Sequence, residues 1–338
     1  MRKNIPQPMF LHCISTLYLA HQQALCAKYV DISGVLNPVV KMVNLIRLRG
    51  LNHRHFRDML KNTNTESQDL PHYTAVRWLS CEKVLSRIFE LRKEICDFLE
   101  SKGKPQPLLS DEEWVWKLTF DADISSHLNV LNLKLQGEKN LVSDLYTHLK
   151  AFTSKLVLFL EQVQANNLTL FQQCKVLMAE ATAEFRTSFA CEIIKDLQLQ
   201  FQELFSDLDT KAEEVRLFQN TFEVDMASFP DELQLEVIEL QENDLFRDKF
   251  KVGLVAFYKF LPKEYFPNVK TFASSYLSIF GTTYLCQQTF SRMKYVKNNL
   301  RRNLSDDNLR SLLMLGTSNL KPEMSAILAS RKQFHHSH

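Results

Sequence analysis

The chain has 338 residues and a formal net charge of +2, with 45% apolar and 24% charged residues. Only 7 of its residues are glycine, against roughly 7% in an average chain, so a hairpin-rich sheet fold is excluded, and no Gly-x-Gly-x-x-Gly or Gly-x-x-x-x-Gly-Lys-Ser/Thr run exists to cradle a phosphate. The near-neutral balance excludes nucleic-acid binding by the chain as a whole and leaves it only to a local patch.

The first stretch, Met1-Arg2-Lys3 followed by Met9 to Ala20, imitates a secretory leader, but Pro6, Pro8 and His12 interrupt it and no small-x-small cleavage site follows. The 7 cysteines are odd in number and never fall in a Cys-x-x-Cys pair. They read as reduced thiols of an intracellular protein. Asn37 and Pro38 predict a helix start, Val39, Val40, Val43 and Ile46 its buried face, and Gly50 its end. Residues 50–61 are basic and histidine-rich, and 62–71 read as a loop ending in Pro71.

From Glu82 the period is helical, with Val84, Ile88, Leu91, Ile95 and Phe98 on one face. Gly103 to Pro107 breaks it. Trp114–Leu135 and Leu141–Val163 are predicted as long helices around Gly137, and Gln173–Phe205 continues the pattern. Asp231 caps a helix over Glu232–Lys251; Pro262 and Pro267 frame a linker; Val269–Phe280 is a helix ended by Gly281. Ser305 caps the last helix, with Asp306 and Asp307 suited to its positive end, and Leu309, Leu312, Leu313 and Leu315 form its apolar stripe. The tail from Arg331 reads as disordered. No run of 18 apolar residues suggests a membrane span.

Three stretches together resemble one family. Tyr276-Leu-Ser-Ile-Phe-Gly-Thr-Thr-Tyr-Leu-Cys-Gln-Gln-Thr-Phe-Ser-Arg-Met-Lys294, followed by Arg302-Asn-Leu304-Ser-Asp-Asp-Asn-Leu309, is similar to the C-terminal dimerisation region of the hAT-type DNA transposases. Thr74-Ala-Val-Arg77-Trp78-Leu-Ser80 matches their Arg-Trp motif ahead of a helical insertion. His12-Cys13 and His21-Gln-Gln-Ala-Leu25 are similar to their Cys-x-x-His stretch, although Cys13 and His21 stand further apart than the family spacing. Leu233 to Gln241 is similar to vertebrate genes derived from such elements, including the transposon-derived zinc-finger BED proteins. The resemblance implies a mainly α fold: an incomplete RNase-H-like remnant with a large all-helical insertion and a C-terminal dimerisation region. The expected divisions are 1–80 for the N-terminal part of the remnant, 81–261 for the insertion, 262–320 for the dimerisation region and 321–338 for a disordered tail.

The same resemblance implies lost chemistry. Such transposases cut DNA with two aspartates and a glutamate, because two divalent metals roughly 4 Å apart must be held by hard carboxylate oxygens. Few residues precede the Cys-x-x-His stretch here, so the strands bearing both aspartates are expected to be missing. The glutamate position, three residues before Phe290-Ser291, is Gln287, whose neutral carbonyl binds Mg²⁺ far more weakly. Asp121 and Asp123 read as solvated or capping residues, not as replacements. No catalytic residue, metal, cofactor or small-molecule substrate is expected. A zinc site from His12, Cys13, His21, Cys26, His53 and His55 fails on ligand spacing.

The expected function is association, with a second copy or with related transposase-derived proteins, through Phe290, Leu304, Leu309, Leu312 and Leu313. The alternatives are a DNA-binding chromatin or transcription factor and a decayed fragment. For DNA the candidates are Trp78 with Arg77, and the basic run Arg292, Lys294, Lys297, Arg301 and Arg302; Arg47, Arg49, Arg54, Arg57 and Lys61 make a second patch. Each also has a plain reading: Trp78 as a core residue, the basic runs as solvated faces, the leucine stripe as intramolecular packing. A nuclear location, with a cytoplasmic share, and no membrane association follow from the resemblance.

Overall fold

Where a helix starts or stops here depends on which carbonyls and amides find partners in the tertiary fold. The computed structural model describes residues 32–62, 69–71, 81–135, 141–209, 212–277, 293–297, 304–317 and 323. Every regular element among them is a helix or a 3₁₀ turn. The order is α1 Ser33–Arg47, α2 Gly50–Asn62, α3 Cys81–Glu90, α4 Arg92–Ser101, a 3₁₀ turn Pro107–Ser110, α5 Glu112–Leu135, α6 Val142–Gln164, α7 Gln172–Met178 and α8 Thr187–Asp209. Then follow α9 Ala212–Gln219, a 3₁₀ turn Met226–Ser228, α10 Asp231–Gln241, α11 Asp244–Lys251, α12 Leu254–Phe260, α13 Pro267–Leu277 and α14 Asp306–Thr317.

Pro38 does not begin α1 as the sequence predicts; it lies inside it. A proline has no N–H for the carbonyl four residues back, which is that of Gly34. Here the Trp114 indole N–H donates to the Gly34 carbonyl at 3.3 Å and fills that vacancy from another helix. Gly50 opens α2 rather than ending α1, and the corner between them is Leu48–Arg49. Three long predicted helices are each two. The Glu82–Phe98 pattern breaks at Leu91, whose φ of −99° and ψ of 17° leave the α region. Residues 173–205 divide into α7 and α8. Residues 232–251 divide at Asn243, whose side chain accepts the N–H groups of Leu245 and Phe246 and so caps a new helix.

The first core joins α1 to α8 around α5. From Trp114 to Ser125 nearly every α5 side chain is buried, polar ones included, as expected of a helix packed on all sides. α3 lies along one side of α5, α7 along another, and α8 pairs with α6. Phe120, Phe171, Phe185 and Phe189 pack ring to ring with centroids 5.3–6.3 Å apart. α2 docks on α4 through Phe56 and Phe98, edge to face at 5.1 Å.

The second core joins the start of α6 to α9–α13. Tyr258 stacks on Phe218 at 5.0 Å; its hydroxyl donates to the Phe218 carbonyl at 2.9 Å and lies 2.8 Å from the Thr221 hydroxyl. Glu236 on α10 accepts the N–H groups of Asn268 and Val269, so one helix face caps the start of another. Residues 1–282 and 283–338 are two separate compact units, and α13 belongs to the first. Most of the 1–80 segment expected to belong to an RNase-H-like remnant, residues 1–31 and the Arg77-Trp78 motif included, lies outside the described residues. α1 and α2, within the 1–80 segment, share the first core with α3–α8.

Candidate interaction surfaces

Burial pushes the Cys81 thiol up to about 12 and holds Cys174 well above its ordinary value, so neither offers a thiolate nucleophile. No group of three or more His, Cys, Asp or Glu side chains that could hold a metal occurs among the described residues. His53, from the zinc candidates, sits 2.7 Å from an oxygen of Asp69, which also meets Arg47 at 3.5 Å. That ion pair ties the 69–71 segment to the α1–α2 corner. His12, Cys13, His21 and Cys26 lie outside the described residues.

Asp121 and Asp123 are not solvated; both are buried on α5. Asp123 nonetheless caps, and does so across the fold. Its two oxygens accept the N–H groups of Gln173 and Cys174 at 3.0 Å each, the first-turn amides of α7. Desolvation pushes its carboxyl up to about 6, against the lowering effect of those amides. A buried acid that anchors a helix start by side-chain acceptance is a structural group. The sequence carried no local signal for it, because acid and cap are about fifty residues apart.

The C-terminal unit presents α14. Ser305 accepts the Asn308 N–H at 3.4 Å, as the predicted cap. Leu304, Leu309 and Leu313 are half-buried, while Leu312, Met314 and Leu315 are exposed, the last two at 61% and 49%. Lys294 and Lys297 are exposed on the short turn before it. Gln287, Phe290, Arg292, Arg301, Arg302, Arg77 and Trp78 lie outside the described residues.

The basic patch on α2 is spread over a solvent face. Arg54, Arg57 and Lys61 follow one another at helical spacing, all exposed, with Arg49 at the corner. Lys102, at the end of α4, reaches His55 at 3.3 Å and extends the patch. Arg47 is set apart by its bond to Asp69. Asp58 and Lys61 pair at 3.6 Å, which trims the positive field by one charge.

These features define a mainly helical protein. No described helix is long and apolar enough to cross a membrane. Residues 12–164 match the family model described as the FAM200/GTF2IRD2 helical domain. Over 304 residues the chain is 36% identical to General transcription factor II-I repeat domain-containing protein 2 of Bos taurus, covering 90% of this chain and 32% of that protein. The Mus musculus protein of the same name is 36% identical over 280 residues, 82% of this chain and 30% of the relative. The chain thus spans about a third of the length of the curated relatives it matches. No solved structure matches it.

Proposed function

We propose that this chain is a transposase-derived protein of the hAT type that has given up DNA cleavage and acts by self-association through α14. The observation that carries the reading is the row of exposed and half-exposed apolar side chains on α14, from Leu309 to Leu315. Leu309, Leu312 and Leu315 recur every three residues along one side of the helix, half-exposed or exposed, and apolar area of this kind is costly to leave in water. Two copies meeting through the same face would form an isologous dimer. The resemblance of Tyr276–Leu309 to a dimerisation region and Gln287 at the glutamate position support the reading. The test is solution mass by light scattering: at least a dimer for the natural chain, and a mass lowered by Leu312→Asp with Leu315→Asp. A natural chain that is monomeric at all concentrations would overturn it.

A second reading has its own observation. The exposed Arg49, Arg54, Arg57, Lys61 and Lys102 form a basic face on α2 and the end of α4. Such a face is suited to DNA phosphates. The names of the relatives, general transcription factor II-I repeat domain-containing proteins, fit a nuclear, transcription-linked setting for it. Binding of a duplex that weakens steeply with salt, and weakens further in Arg54→Ala with Arg57→Ala, would favour this role; binding indifferent to both would remove it.

A further inference from the structure

A second surface of opposite make-up lies between α6 and α8, in the first unit. It is an open groove of about 590 Å³. Leu149, Val157, Leu199 and Phe201 give it apolar walls and floor, and Lys150 and Lys195 stand at its sides. Both lysines are exposed, and no acidic side chain is among the described residues that line it. An occupant must therefore bring apolar side chains framed by carboxylates.

The same chain presents such a face on α10. Leu235 is 76% exposed, and Ile238 lies beside it three residues on, also exposed. Glu239 and Glu242 flank them, exposed on the same side of the helix. Leu233, Val237 and Leu240 are turned inward to the second core, and Glu236 is engaged in capping α13, so the outward face is free of structural duty. Two apolar anchors at i and i+3 with acids alongside are the pattern of a helix laid in a groove.

We infer that α10 of one copy docks in the α6–α8 groove of another, with Leu235 and Ile238 on the apolar floor and Glu239 and Glu242 against Lys150 and Lys195. The contact joins unlike surfaces, so it is heterologous and builds rings or open chains. It does not rest on the α14 dimer, and together the two contacts give assemblies larger than a dimer.

Sedimentation velocity on the full chain carrying Leu312→Asp and Leu315→Asp isolates this contact from the C-terminal one. The expected result is concentration-dependent association that Lys150→Glu with Lys195→Glu abolishes. Glu239→Lys with Glu242→Lys abolishes it too. Mixing these two charge-reversed chains restores association, because each then supplies the complement of the other. All four reversed positions are exposed, so far-UV circular dichroism should match the parent chain. A parent that stays monomeric overturns the inference and leaves the α14 reading standing. Association indifferent to the reversals overturns it as well. Loss in both reversed chains without recovery on mixing also overturns it.

Discussion

Trp114 and Asp123 each serve a backbone group far from them in the chain. Trp114 supplies the N–H that Pro38 cannot give to the Gly34 carbonyl. Trp114→Phe removes the donor and leaves a smaller ring, so it is expected to cost about 2 kcal/mol or more in denaturant unfolding, lost bond and cavity together; no loss would mean that neither the bond nor the indole's packing contributes to α1. Asp123 makes a pH prediction. Its folded carboxyl is pushed up to about 6 from an ordinary 3.8, so the folded chain binds the proton more tightly than the unfolded one. The stability from that protonation is present in full below the unfolded value and is lost as pH rises through about 6. Asp123→Asn retains an oxygen to accept an N–H and removes the titration. The stability of the natural chain relative to this variant should fall between about pH 4 and 6, by of order 2–3 kcal/mol. His127, shifted down by burial, gives a slope of the opposite sign, but it is common to both chains and cancels. A flat difference would show that folding leaves the Asp123 carboxyl's proton affinity unchanged. Capping was one of the two sequence readings of Asp123, but the helix it caps, about fifty residues on, was not legible. The solvated reading of Asp121 and Asp123 failed because α5 is enclosed on all sides, which depends on helices distant in the chain.

At the scale of elements, apolar period was a sound guide to which stretches are helical and a poor one to where helices end. Val84, Ile88, Leu91, Ile95 and Phe98 all are buried as one face predicts, yet the helix breaks at Leu91 within that face. A short irregular joint preserves the period, so the pattern does not record it. Asn243 was a readable signal: an asparagine ahead of Asp244 that accepts two first-turn amides. Asn243→Ala is expected to cost about 1 kcal/mol of stability, measured by thermal unfolding, while Asn243→Asp should cost little. Equal losses for both would point to a packing role for the amide. The α6–α8 groove was invisible for a different reason. Its two walls come from helices with α7 between them in the chain, and each reads alone as an ordinary amphipathic helix. The leucine stripe on α14 was legible because it is local, lying within three turns after Ser305.

At the scale of the molecule, two helical cores and a separate C-terminal unit divide the work. The composition pointed to this helical build, since few glycines leave few turns for a sheet. It gave no hint that α6 would contribute to both cores, which arises because Val142 begins that helix among the aromatic residues of the second. A basic face on α2 within a chain of net charge +2 predicts any DNA affinity to be local and screened. Raising salt from about 50 to 200 mM should reduce it sharply if several phosphates are touched, and Arg57→Ala should make that dependence shallower. An affinity that ignores salt would exclude the face as a phosphate contact. The central claim, that the chain works by associating through α14, is tested most directly by multi-angle light scattering of the full chain beside Leu312→Asp with Leu315→Asp. The account predicts at least a dimer for the natural chain and a mass lowered by that pair of changes, with helical content unaltered. A natural chain of monomeric mass, or one whose mass is untouched by two acids in the stripe, would contradict it.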